Sequence, residues 1–127
     1  MIVAGIGCRK GASQADVEAA IDDALTQAKQ GREALRLIAT SDGKASEPGI
    51  VAAAEARGVP LVRVTPADLE AAGSRTQSSS PRVKELFGVP SVAEAAALAA
   101  AGPKARLILP RITLGPVTCA LADTEGP

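Results

Sequence analysis

The chain has no histidine, tyrosine or tryptophan, and a single phenylalanine and methionine among its 127 residues. The lack of histidine excludes Ser-His-Asp and Cys-His catalysis and removes the commonest metal ligand. Two cysteines, Cys8 and Cys119, do not make a disulfide framework. With no histidine beside them they do not suit a tetrahedral zinc site either. Acid–base chemistry would fall to Asp, Glu, Lys or Cys, and no metal or cofactor is expected. Acidic and basic residues balance at 14 each, which argues against non-specific nucleic-acid binding. No apolar run approaches the roughly 20 residues of a membrane span. The chain enters an apolar strand at once, with no charged region before it. No signal peptide is therefore expected, and the expected location is cytoplasmic.

What is present is small and aliphatic. Hydrophobic residues are 46% of the chain, and 27 residues are alanine. Alanine faces let helices sit close to a sheet, so thin layers around one core are expected, with residues 1–127 as a single domain.

Apolar periodicity alternates between strand and helix. A strand is expected over 2–6. A helix follows from an N-cap at Ser13, with Asp16 as a weak capping box and Gly31 as its end. A second strand, 35–39, leads through a polar loop, 40–46, into a helix that starts at Pro48 and stops at Gly58. A third strand at 60–64 precedes a short helix begun by Thr65-Pro66. Residues 74–80 are serine-rich and are expected to be mobile. A short helix over 81–86 is expected next, closed by Gly88. Ser91 and Glu94 then form a capping box for an alanine-rich helix to Ala101. Strands at 106–109 and 117–122 are joined so briefly that they should pair antiparallel. The pattern predicts an α/β fold: a three-layer α/β/α sandwich on a mostly parallel five-stranded sheet with an antiparallel last strand. The expected strand order is 3-2-1-4-5.

Ligands of such sheets bind beyond the strand C-termini. There the chain places Gly5-Ile6-Gly7-Cys8-Arg9-Lys10-Gly11, a glycine-rich turn between a strand and a helix. Unpaired backbone N–H groups and two cations make such a turn suited to an anion. Its spacing fits neither the dinucleotide nor the Walker pattern, and many such turns bind nothing. The loops 40–49 and 111–116 converge on the same edge. The candidate binding residues are Gly7, Cys8, Arg9, Lys10, Gly11, Thr40, Lys44 and Glu47, with Arg111 as a further cation. Cys8, Lys10 and Glu47 are the candidates for catalysis. Cys8 beside two cations is either an activated nucleophile or a small residue packed beneath the turn. The absence of any base partner favours packing.

The stretches Gly5-Ile6-Gly7-Cys8-Arg9-Lys10-Gly11, Ala39-Thr40 with Lys44-x-x-Glu47-Pro48-Gly49, Gly58-Val59-Pro60-Leu61 and Gly88-Val89-Pro90-Ser91-Val92-Ala93-Glu94-Ala95-Ala96 carry a resemblance over nearly the whole chain. It is similar to the CobE/CbiG C-terminal domain family of cobalamin biosynthesis, and its length is that of the stand-alone members. The resemblance implies work on the corrin ring in the aerobic pathway, by binding or handing on a precorrin intermediate. The implied partners are that corrinoid and other enzymes of the pathway, with no nucleic acid and no membrane. Longer members open a lactone on a cobalt-precorrin, so a hydrolase acting on a lactone or acyl group is the alternative. Generic fold reasoning keeps a nucleotide-phosphate binding domain as a third. A precorrin rimmed with carboxylates suits cations around a partly apolar cleft. Without aromatic side chains, contact with the ring faces would have to be aliphatic.

Overall fold

β1 (Ile2–Cys8) is buried over its first five residues and half-buried at its end. It forms the middle of a five-stranded sheet in the computed structural model, which describes residues 1–76 and 91–124. The remaining elements are α1 (Gln14–Gln27), β2 (Leu35–Ser41), α2 (Pro48–Arg57), β3 (Leu61–Val64), α3 (Pro66–Ala72), α4 (Val92–Ala101), β4 (Arg106–Leu114) and β5 (Val117–Asp123). The fold is therefore α/β. Among the described residues no helix is long and apolar enough to cross a membrane.

Local chemistry sets most boundaries. Ser13 accepts from the Asp16 N–H, and the Asp16 carboxylate accepts from the Ser13 N–H, a complete capping box. Pro48 opens α2, and Gly58, at φ 65°, ends it. Thr65 caps α3 and Ser91 caps α4. α1 stops short of the expected Gly31. Its last turn closes through Lys29 N–H to the Thr26 carbonyl and Gln30 N–H to the Leu25 carbonyl. This is a Schellman ending with Lys29, at φ 58°, where glycine is usual. The expected loop 40–46 begins later than its polarity suggested. Thr40 and Ser41 extend β2, because both are buried and pair with β3 at Arg63 and Val64.

The sheet order is β3-β2-β1-β5-β4, which corrects the expected 3-2-1-4-5. β1 pairs parallel with β2, and β2 with β3. β5 runs antiparallel to both β1 and β4. The last strand is thus antiparallel, but it lies inside the sheet, and β4 takes the edge. Composition explains the exchange. β5 is buried at Val117, Cys119, Ala120, Leu121 and Ala122, whereas β4 carries Arg106, Pro110 and Arg111. Proline cannot donate to a ladder and belongs on an edge strand or at a bulge. β4 has both: its register with β5 shifts between Leu109 and Ile112, around Pro110 and Arg111.

Two apolar clusters lie on the two sides of the sheet. One joins Ile2, Ala4 and Ile6 of β1 to Val17, Ile21 and Leu25 of α1 and Ile50 of α2. The other joins Val3 to Leu69 of α3 and Ala97 and Leu98 of α4. α4 rests so closely on β1 that a Cβ at Gly5 would collide with the Ala93 carbonyl oxygen and lie 2.7 Å from the Ala97 nitrogen. Glycine in the strand and alanine on the helix permit that approach.

Part of the serine-rich stretch is anchored rather than mobile. Residues 73–75 form a 3-10 turn. The Arg75 guanidinium donates to the carbonyls of Gly102, Pro103 and Ala105. Residues 77–80 and the helix expected over 81–86 lie outside the described residues.

Candidate functional site

A cleft of about 240 Å³ opens where β1 ends, lined by Gly7, Cys8, Arg9, Lys44, Val92, Arg111, Thr113, Gly115, Pro116 and Thr118. Four parts of the fold supply it. β1 and its exit bring Gly7, Cys8 and Arg9. The 3-10 turn after β2 brings Lys44. The start of α4 brings Val92. The β4–β5 hairpin, which turns at Gly115 and Pro116, brings the rest. Arg9 N–H donates to the Pro116 carbonyl at 2.9 Å and fastens the β1 exit to the hairpin turn. On the floor, Thr118 Oγ1 donates to the Gly7 carbonyl. A Cβ at Gly7 would stand 2.6 Å from that hydroxyl oxygen, so only glycine leaves the floor flat.

Arg9, Lys44 and Arg111 have no ion-pair partner among the described residues, and no carboxylate lines the cleft there. In a chain of balanced charge, three unpaired cations on one small cleft are a concentrated positive field. The position of Arg111 has a local cause. At the β4 bulge its backbone N–H leaves the ladder and donates instead to Glu94 Oε2 at 2.9 Å. Glu94 is fully buried. A buried carboxylate needs such donors to offset its desolvation. Bulges re-aim the side chains they carry, and here the side chain re-aimed is a cation of the cleft.

Of the residues singled out from the sequence, Gly7, Cys8, Arg9 and Lys44 meet at the cleft, together with Arg111. Lys10, Gly11, Thr40 and Glu47 do not line it. Thr40 is buried in β2, and its hydroxyl donates to the Ile6 carbonyl at 2.7 Å. The Glu47 carboxylate accepts from Gly11 N–H at 2.9 Å, tying the first loop to the second. Lys10 is exposed. Much of the expected cradle of backbone donors is also taken up internally. Arg9 N–H goes to Pro116, Gly11 N–H to Glu47, Ala12 N–H to Arg9 and Ser13 N–H to Asp16. The charge that this edge offers an anion in the cleft is that of the Arg9, Lys44 and Arg111 side chains.

The expected convergence of 111–116 on this edge reached the stretch with Thr113, Gly115 and Pro116 without singling those residues out, and Val92 and Thr118 were not expected at the site. The signal that would have found Thr118 is Pro110, which marks β4 as an edge strand and so brings β5 against β1.

Burial pushes the Cys8 thiol above its ordinary range; Lys44 pulls it down and Glu47 pushes it up. A thiol shifted in that direction is less activated than a free one, which accords with packing beneath the turn. Cys119 is fully buried in β5, and burial raises its thiol to about 12. Among the described residues no group of three or more Cys, Asp or Glu is placed to hold a metal ion.

The sequence that builds this α/β domain belongs to a known class. Residues 2–122 match the family described as Cobalamin synthesis G C-terminus, and the chain belongs to that family. Within it the chain is similar to Protein CobE of Sinorhizobium sp, at 40% identity over 121 residues, 95% of this chain and 79% of that one. The crystal structure of CobE, a protein from the cobalamin (vitamin B12) biosynthetic pathway, superposes with a TM-score of 0.90 at 34% identity, covering 96% of this chain and 89% of that one. The cobalamin biosynthesis protein chiG from Agrobacterium tumefaciens str. C58 superposes with a TM-score of 0.79 at 37% identity, covering 99% and 100%.

Proposed function

We propose that this domain binds a carboxylate-rich tetrapyrrole intermediate of cobalamin biosynthesis and hands it on. The observation that carries this reading is the meeting on one cleft of Arg9, Lys44 and Arg111, none of which has an ion-pair partner among the described residues. Family membership supplies the pathway, and the chemistry of corrin precursors supplies the anion. Charge-assisted hydrogen bonds to carboxylates contribute ~1.5–3 kcal/mol each.

Binding is favoured over hydrolysis by the state of the candidate catalysts. Burial raises the Cys8 thiol rather than activating it, the Glu47 carboxylate is engaged by Gly11, and Lys10 stands outside the cleft. A nucleotide site is disfavoured because the glycine spacing fits no nucleotide pattern and the N–H groups of Arg9, Gly11, Ala12 and Ser13 are engaged within the chain.

The test is incubation with a series of precorrins followed by gel filtration. With no tryptophan or tyrosine, the protein barely absorbs in the near ultraviolet, so a bound tetrapyrrole is read cleanly from its colour. Co-elution of one or more precorrins is expected, weakening as salt rises. Elution of colourless protein from every mixture would refute the reading.

A further inference from the structure

We propose that the cleft seats a single carboxylate arm of the ligand and leaves the macrocycle outside. The inference rests on the tetrapyrrole reading above and adds which part of the molecule is recognised. The first ground is size. Pockets that enclose a drug-sized ligand measure about 300–1,000 Å³, and a tetrapyrrole exceeds such ligands. A cleft of about 240 Å³ is too small for the ring and sufficient for a short methylene chain ending in a carboxylate.

The second ground is the lining. Val92 and Pro116 offer apolar surface for such a chain, while Arg9, Lys44 and Arg111 supply cations for its end. Two guanidinium groups and an ammonium can satisfy one carboxylate completely, since a carboxylate accepts at about four lone-pair sites. The third ground is the absence of aromatic side chains from the described residues of the cleft. Among the described residues nothing there stacks on a ring face, and what they offer is a grip on the rim. A ring gripped by one arm keeps both faces open to a second protein, as a carrier requires.

The test uses two ligands and the thiol already in the cleft. Cys8 lines the cleft and Cys119 is fully buried, so alkylation by iodoacetamide at mildly alkaline pH, followed by mass spectrometry, reports occupancy at Cys8. The probes are propionate, cobyrinic acid (a corrin polycarboxylate) and its methyl ester, with sodium chloride at equal ionic strength as control. The expected result has three parts. Propionate and cobyrinic acid both slow alkylation of Cys8, propionate displaces the corrin competitively, and the ester does neither. Arg111→Gln and Lys44→Gln each weaken both acids by a similar factor, roughly tenfold or more.

If cobyrinic acid binds and propionate never displaces it, the single-arm proposal fails while the tetrapyrrole reading stands. The single-arm proposal fails in the same way if the ester binds as tightly as the acid. If propionate protects Cys8 and no corrin or precorrin binds, the tetrapyrrole reading fails and takes this proposal with it.

Discussion

Cys119 gives a stability test whose sign and size follow from the fold. Its thiol lies in β5, facing the cluster formed with α1 and α2. Burial raises it from an ordinary 9.0 to about 12; Arg57 pulls it down and Asp23 pushes it up. Between those values the unfolded chain has released the proton and the folded chain has kept it. Stability from this group is therefore complete below pH ~9 and is lost as pH climbs toward ~12. Three units at 1.36 kcal/mol each correspond to on the order of 4 kcal/mol. Cys119→Ala removes the titration and leaves a small cavity, at a loss of about 1 kcal/mol by analogy with other small core truncations. The two curves should therefore cross. The native sequence is the more stable at pH 7, the order inverts near pH ~10, and at pH ~11 the variant leads by more than 1 kcal/mol. Urea unfolding followed by far-ultraviolet circular dichroism measures both curves, and their difference cancels the lysines, Cys8 and the backbone. The lack of tyrosine removes the usual competing titration in this range. A difference that stays flat from neutral pH to pH ~11 would refute the reasoning.

Other expectations follow from single contacts. Cys8→Ala should retain ligand binding, and alkylation of native Cys8 should be slow at neutral pH and speed up as pH rises, because burial raises its thiol; fast modification at neutral pH would mean an activated nucleophile. Gly5→Ala forces α4 away from β1 and should destabilise by about 1–3 kcal/mol or more. It should also weaken ligand binding, since Val92 moves with the helix; an unchanged melting temperature would show that the helix yields freely. Lys29→Gly relieves a left-handed residue at the end of α1 and should stabilise by up to about 1 kcal/mol, measured by the urea midpoint.

The sequence was most legible where a local rule decides. Ser13 with Asp16, Pro48 with Gly58, and Thr65-Pro66 mark helix ends through one or two hydrogen bonds or one fixed dihedral angle, and the structure has those ends. Strand order was not legible in that way, because neighbours are chosen by packing across the whole chain. Pro110 carried the information, and its meaning emerges only when β4 and β5 compete for the place beside β1. The site shows the same division. Arg9, Lys44 and Arg111 could be nominated from the stretches that bear them, although Arg111 proves to lie in β4. Thr40 and Glu47 sit on those same stretches, yet their polar atoms are consumed inside the fold, by Ile6 and by Gly11. Composition does not reveal which polar groups a fold will use on itself.

The insertion of β5 beside β1 also governs how the molecule comes into being. β1 leads the chain, and its partner on one side is the final strand; the Met1 ammonium meets the Asp123 carboxylate across 122 residues of sequence. During synthesis β1 can pair with β2 early, but its other edge keeps its donors and acceptors unanswered until β5 emerges. An unpaired apolar strand edge in a growing chain is a template for wrong partners. Loop closure over so long a separation also makes the final pairing slow. The nascent domain thus spends nearly its entire synthesis with its central strand half-exposed, and shortening the chain within β5 would leave it in that condition for good.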